Sequence, residues 1–336
     1  MNKQVLNETI NKYVRENLSP KTEQREYISK KYVELQGFLS DNCFQTGSYA
    51  RFTATDPVHD LDTIHPSKES TILDNPQIVV DSLYALLEDA YSKSPISKIK
   101  KISRQTHSVT IEFADCPESF SIDVVPAIEL SELNEYGDPF YVVPEILRLN
   151  TYRRHIRYEN EKENPIGWIK SDPRGYIKAA SDMNDQNPNF RYSAKLGKKW
   201  RHECKMAYGD AYSFKSFHFE LMFYRYFDEN QGATTLDAII DCIGQISQAL
   251  HIPQFQDRAD SNQYVDEYVR NLISTEKQLI LKLQAEAYSI LQKLPSAESV
   301  EELLSLLDNF IKVEKQNTRI TPPAIVVNSP RQPWGY

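Results

Sequence analysis

The residues best suited to chemistry lie in GSYARFTATDPVHDLDTIH, residues 47–65, and in SIDVVPAIE further along the chain. Asp60 and Asp62 are separated by Leu61 in an alternating run that predicts a β-strand. Successive strand side chains point to opposite faces, so both carboxylates share one face while Leu61 enters the core. A third carboxylate, Asp123, sits between Ile122 and Val124 in a later predicted strand. Neighbouring strands lie about 4.8 Å apart, close enough for Asp123 to complete a cluster. Three carboxylates on one face repel one another unless a cation lies between them. Hard oxygen donors select Mg2+ or Mn2+, and both ions leave coordination positions open to substrate phosphates. Upstream, Gly47-Ser48 marks a strand-to-helix turn whose backbone N–H groups can cradle a triphosphate, with the Ser48 hydroxyl adding a contact. An acid-x-acid triplet is weak by itself, and Glu161-Lys162-Glu163 is another one. The apolar strand context and the upstream turn single out Asp60 and Asp62.

These residues need a sheet with flanking helices to position them. Residues 1–40 predict two helices, the first carrying Val5, Leu6, Ile10, Tyr13, Val14 and Leu18, the second opened by Ser19 as N-cap and Pro20 in its first turn. Short strands are expected at CFQT, DLDTIH, 108–113, 119–130 and 141–143. A helix over 78–91 should present Ile78, Val79, Leu83, Leu86 and Leu87 on one side. Beyond about residue 164 the periodicity is helical: one helix opens at Asp172-Pro173, and others run over 190–208, 214–227, 234–250, 263–294 and 296–315, the last capped at Ser296. The fold class is α+β and bilobal. Residues 1–160 form a sheet-bearing lobe with the N-terminal helices, 161–316 a helical lobe that closes the pocket, and 317–336 an extended Pro-rich tail.

Composition narrows the function classes. The 336 residues carry 39 Lys+Arg against 47 Asp+Glu, a net charge of -8, which argues against long nucleic acid as the main ligand. No run of about 18 apolar residues exists, so no membrane span is expected. The N-terminal segment MNKQVLNETINKY has no signal-peptide apolar stretch, so a cytoplasmic location is expected. Cys43, Cys116, Cys204 and Cys242 are widely spaced and read as reduced thiols.

Gly-Ser, a gap of about ten, Asp-x-Asp and a distant Asp together resemble the polymerase-β-like nucleotidyltransferases. Within that superfamily, GSYARFTATDPVHDLDTIH with SIDVVPAIE looks like the CD-NTases, bacterial relatives of cyclic GMP-AMP synthase and oligoadenylate synthetase. The resemblance spans roughly residues 40–230, and KLGKKW followed by SFHFELM looks like the family's basic helix and its neighbour beside the nucleotide pocket. It implies that Asp60, Asp62 and Asp123 hold two Mg2+ (or Mn2+) ions and that Gly47 and Ser48 form the phosphate-binding turn. Lys198 matches the triphosphate-contacting lysine. Lys195 stands where an arginine is common. Ser216 and Phe217 fall where relatives place a phosphate-contacting Ser and a base-stacking aromatic.

The activity so implied is template-independent transfer of a nucleoside monophosphate from an NTP, ATP among them, to a ribose hydroxyl. Pyrophosphate is released, and repetition closes a cyclic di- or trinucleotide that serves as a messenger in antiphage defence of the CBASS kind. Rival readings are an RNA-end nucleotide-adding enzyme, a small-molecule or protein nucleotidyltransferase of antibiotic-modifying or toxin type, and a catalytically silent nucleotide-binding module. The tail, RITPPAIVVNSPRQPWGY, contains four prolines with AIVV and Trp334 as apolar islands. In some operons of this family, accessory proteins of ubiquitin-transfer type act on the enzyme's C-terminus, which would make Tyr336 the acceptor end here.

Overall fold

The computed structural model describes residues 1–68, 75–116, 119–146 and 166–315. The Pro-rich tail expected at 317–336 lies outside the described residues.

Among the described residues, seven strands form one mixed sheet: β1 (Phe44–Thr46), β2 (Asp60–Lys68), β3 (Ile99–Arg104), β4 (Val109–Phe113), β5 (Ser121–Leu133), β6 (Pro139–Ile146) and β7 (Ile166–Ser171). The order is β1-β2-β5-β4-β3, with β6 joining β5 and β7 joining β6. β5 organises the sheet. Its first half lies between β2, which it pairs in parallel, and β4, which it pairs antiparallel. Its second half continues past β4 and pairs with β6. β3 and β7 escaped the sequence reading. β3 is an edge strand with two exposed lysines, and neither strand shows clean alternation.

Among the described residues, ten helices surround the sheet or pack beside it. Those of the first half are α1 (Lys3–Tyr13), α2 (Thr22–Phe38), the short α3 (Gly47–Ala50) and α4 (Pro76–Ser92). The second half contributes α5 (Pro173–Gln186), α6 (Asn189–Tyr208), α7 (Ser216–Glu229), α8 (Thr235–Ala249), α9 (Ser274–Leu291) and α10 (Val300–Ile311). In α1 the buried row Leu6, Ile10, Val14, Leu18 has four-residue spacing, which drifts by about 40° per step around an α-helix. A π-helical turn at Val14–Leu18 takes the last step with wider winding and keeps Leu18 on the same core.

Several expected boundaries move for identifiable reasons. α2 starts at Thr22, not Ser19-Pro20. The Ser19 hydroxyl is engaged elsewhere, donating to the Val14 carbonyl and accepting from Lys195 Nζ. In α4 the buried row is Pro76, Val80, Leu83, Leu87 and Tyr91, while Ile78 and Leu86 are exposed. The helix expected over 263–294 is confined to α9. Buried Asp266 accepts from the N–H groups of Gln254 and Phe255, and this holds the preceding chain in a loop. The last helix is capped by Ser299, which accepts from Glu302 N–H, because Leu294–Ser296 winds as a 3-10 turn.

Two main cores result. The sheet core joins Leu61, Val109, Ile111, Ile122 and Val124 to Ile28 and Leu35 of α2 and to α4. The helical core takes in α6 to α10 and also α1, through Leu6 and Ile10. The chain thus crosses the expected division near residue 160 twice: α1 packs with the helical lobe, and β7 extends the sheet. Cys43, Cys116, Cys204 and Cys242 are all free thiols. Among the described residues, no helix is long and apolar enough to cross a membrane.

Candidate active site

The parallel pairing of β2 and β5 sets Asp62 directly beside Asp123, with Asp60 beside Ser121. Leu61 is fully buried, so the two aspartates flanking it face the other side. Asp60 and Asp123 line a cavity of about 860 Å3 between the lobes. Asp62 lies deeper, against the Gly47 turn. Burial, then the charges of Asp60 and Asp123, push its carboxyl up to about 6, against the pull of Arg51 and Lys198. Burial and the Asp60 charge also raise Asp123, opposed by a hydrogen bond donated by the Thr110 hydroxyl to Asp123 Oδ1. Thr110 stands opposite Asp123 across the β4–β5 pair and lines the same cavity.

The turn at Gly47 is dictated by this packing. Gly47 has φ +68°, and a Cβ there would fall 1.8 Å from Asp62 Oδ2. Only glycine allows the backbone to pass so close to the carboxylate. Ser48 lies on the cavity wall, and its carbonyl accepts from the N–H groups of Thr53 and Ala54. This folds the following loop back over α3.

The helical lobe supplies the opposite wall, where Lys198 and Ser216 both line the cavity. α6 and α7 approach closely at Gly197, where a Cβ would lie 2.6 Å from the Phe223 ring. That approach sets Lys198 of α6 beside Glu220 of α7. Lys198 Nζ donates to Glu220 Oε2 at 2.8 Å and to Thr53 Oγ1 at 3.1 Å. Arg51 Nε donates to Glu220 Oε1 at 2.6 Å. Burial alone would raise the Glu220 carboxyl, but Arg51 and Lys198 beside it hold it at about 2.

Two residues expected in the site lie elsewhere. Lys195 donates to Ser19 Oγ at 3.0 Å, and burial with Arg25 and Arg191 nearby pushes its ammonium down to about 8. It faces the N-terminal helices, where Ser19 takes its ammonium, while Lys198 turns to Glu220 and Thr53. Phe217 does not line the triad cavity. It faces a smaller, mainly apolar cavity of about 230 Å3, its ring 4.5 Å from the Arg51 guanidinium and edge-to-face with Tyr176 at 5.1 Å. Phe217→Leu is therefore expected to cost about 1–3 kcal/mol in a denaturant melt. The NTP KM should change by less than about threefold, since a stacked base lost entirely would cost more. A larger KM rise would put the base against Phe217 after all.

His59 and His65 behave as hydrogen-bonded residues, with Nδ1 against the Ser119 and Asn42 carbonyls respectively. Arg51, Thr53, Thr110 and Glu220 were missed in the sequence. Only Glu220 left a signal, a lone carboxylate within the apolar run SFHFELMFYRYF, which is the same kind of signal that singled out Asp123.

The donor set fits a divalent cation by its chemistry: three carboxylates on one sheet face, two of them with raised pKa through burial and then through the charge of their acidic neighbours. Among the described residues, no three His, Cys, Asp or Glu side chains are drawn together tightly enough to hold an ion as they stand.

No family model matches the chain, and no curated protein matches its sequence. Solved structures do match. CdnC of E. coli MS115-1 in complex with HORMA-deltaN superposes with TM-score 0.66 at 16% identity, over 92% of this chain and 98% of that one. The cyclic AMP-GMP synthase DncV of Vibrio cholerae gives 0.57 at 15% identity, over 82% and 69%. CdnG of Bradyrhizobium diazoefficiens, a CD-NTase in complex with GTP, gives 0.56 at 12% identity, over 92% and 98%. The chain has the CD-NTase fold, an α+β lobe built on the mixed sheet joined to a helical lobe.

Proposed function

We propose that this chain is a template-independent nucleotidyltransferase that builds a cyclic di- or trinucleotide messenger from NTPs. The observation that carries the reading is the opposition, across one cavity, of Asp60 and Asp123 on the sheet to Lys198 and Ser216 on the helical wall. Carboxylates opposite a lysine suit a triphosphate with its charge divided between the two walls. Superposition on structures described as a cyclic AMP-GMP synthase and as CD-NTases bound to ATP or GTP supports it. By the same likeness we assign the product to antiphage signalling of the CBASS type and the enzyme to the cytoplasm. We also propose an accessory protein as partner, with the C-terminal tail as its substrate.

Asp60, Asp62 and Asp123 would hold Mg2+ or Mn2+, two ions in the full site. Such ions supply charge neutralisation at the α-phosphate and at the leaving pyrophosphate. The chain's own groups do the rest. Asp123 orients the attacking ribose hydroxyl and takes its proton. The hydroxyl oxygen forms a bond to the α-phosphorus, and the bond from that phosphorus to the β-bridging oxygen breaks. Lys198, Ser48 and Ser216 contact the β- and γ-phosphates, and Gly47 leaves room for the turn to approach them.

Incubation with all four NTPs and Mg2+ or Mn2+, followed by mass spectrometry of phosphatase-resistant products, tests the assignment. A cyclic product with two or three nucleotides is expected. Extension of added RNA with no cyclic product would replace the proposal with RNA-end addition.

A further inference from the structure

Glu220 is buried, 2% exposed, and sits in an otherwise apolar stretch of α7. Both its oxygens are engaged: Oε1 accepts from Arg51 Nε, and Oε2 accepts from Thr53 Oγ1 at 2.7 Å, Lys198 Nζ at 2.8 Å and Arg51 Nη2 at 3.4 Å. The carboxylate is therefore neither a free base nor a free metal ligand. Its partners come from both lobes. Arg51 and Thr53 follow directly on the Gly47–Ser48 turn, and Lys198 belongs to α6. A second tie runs in the same direction, from Arg191 Nε to the Arg51 carbonyl at 3.2 Å.

Counting donors shows what this arrangement does to Lys198. An ammonium has three N–H groups. One goes to Glu220 and one to Thr53, and Lys198 lines the triad cavity. The third is left for a ligand there. Two cations meet one carboxylate, so the knot carries a net positive charge beside the acidic cluster, felt at Asp62. A buried ionic knot is seldom the most stable filling for a core, since apolar residues of equal volume usually do as well or better. Its position, between the phosphate-binding turn and the one lysine of α6 on the cavity wall, points to a role beyond stability.

We propose that Glu220 is a positioning residue for triphosphate binding. It holds Lys198 with one N–H aimed into the cavity. Through Arg51 and Thr53 it also fixes the Gly47–Ser48 turn at a set spacing from that lysine. The inference rests on the nucleotide reading of the cavity and deepens it. The residue touches no substrate and acts through Lys198.

The test is a double-mutant cycle on the full chain, read as the affinity for inorganic tripolyphosphate with Mg2+ by calorimetry, beside melting curves. Glu220→Gln should weaken binding by about tenfold, the loss expected when a charged hydrogen bond is removed. Lys198→Met should weaken it at least as much. The double variant should bind no more weakly than Lys198→Met alone, because Glu220 has nothing left to position. If Glu220→Gln does not fold, Thr53→Val runs the same cycle with a smaller loss, about threefold, that also vanishes in the Lys198→Met background. Unchanged affinity with a lowered melting temperature, or losses that simply multiply, would overturn the proposal. A wild type that binds tripolyphosphate and obeys the cycle, yet makes no cyclic product, would sink the proposed function and leave this inference standing. A wild type that binds no tripolyphosphate would sink both.

Discussion

The double substitution Asp60→Asn, Asp62→Asn is expected to abolish nucleotide transfer while leaving the fold intact. Both residues keep their shape and lose their charge, so the anionic donors for a divalent ion disappear from β2. The loss should be roughly a thousandfold or more, since ion-derived charge stabilisation is worth several kcal/mol at the transition state. Pyrophosphate release at near wild-type rate would show that the site has been misplaced. The same variant has a second, opposite signature in stability. Asp62 is raised from 3.8 to about 6 by burial and by its acidic neighbours. Between these values the folded state binds more protons than the unfolded chain, so metal-free stability falls as pH rises through that window and stays low above it. Asparagine removes the cost, on the order of 3 kcal/mol. In EDTA at pH 8 the double variant should therefore melt above the wild type, and at pH 4 the difference should shrink. A variant that melts lower at pH 8 would mean that Asp62 makes favourable ionised contacts instead.

Gly47→Ala is expected to have the next largest effect, for a different physical reason. The backbone at Gly47 has φ +68°, and the added methyl would sit 1.8 Å from Asp62 Oδ2. The left-handed conformation alone costs an L-residue about 1–2 kcal/mol. Relieving the overlap means shifting either the turn or the carboxylate, so the Ser48–Asp62 geometry opens by a substantial fraction of an ångström. Misplacement on that scale reduces rate by about a hundredfold. Activity should thus fall far more than the modest stability loss accounts for. Gly209→Ala is an instructive control. It carries a similar left-handed penalty at φ +55° with nothing within 4 Å of the added methyl, so its cost should appear first as a lowered melting temperature. Equal activity losses in the two variants would remove Gly47 from any specific role.

How much of this was visible in the chain depends on the range of the interaction. The strands carrying Asp60, Asp62 and Asp123 announce themselves, because alternation with a buried partner such as Leu61 is a nearest-neighbour property. Asp172 capping α5, with its side chain accepting from Gly175 N–H, is equally local. Helix α9 was overextended in the sequence reading because Asp266 stops the preceding segment through contacts with Gln254 and Phe255, twelve and eleven residues away. The row facing the core in α4 was misjudged because Ile78 and Leu86 are as apolar as their buried neighbours, and only the sheet beneath decides which row is covered.

The site divides along the same line. The amino-acid sequence by itself determined the acidic triad, the glycine turn and the presence of a lysine-bearing helix, since each is carried by residue type and short spacing. The tertiary structure decided which lysine faces the cavity. Lys195 and Lys198 are three apart on one helix, yet the first meets Ser19 and the second meets Glu220 and Thr53. It decided, too, that Phe217 packs under Arg51 in a separate cavity. Above all, it joined Arg51 to Glu220, residues 169 apart in the chain, across the two lobes. No local pattern encodes such a pair, because a buried charge is tolerated only where folding brings its counter-charge within hydrogen-bond distance.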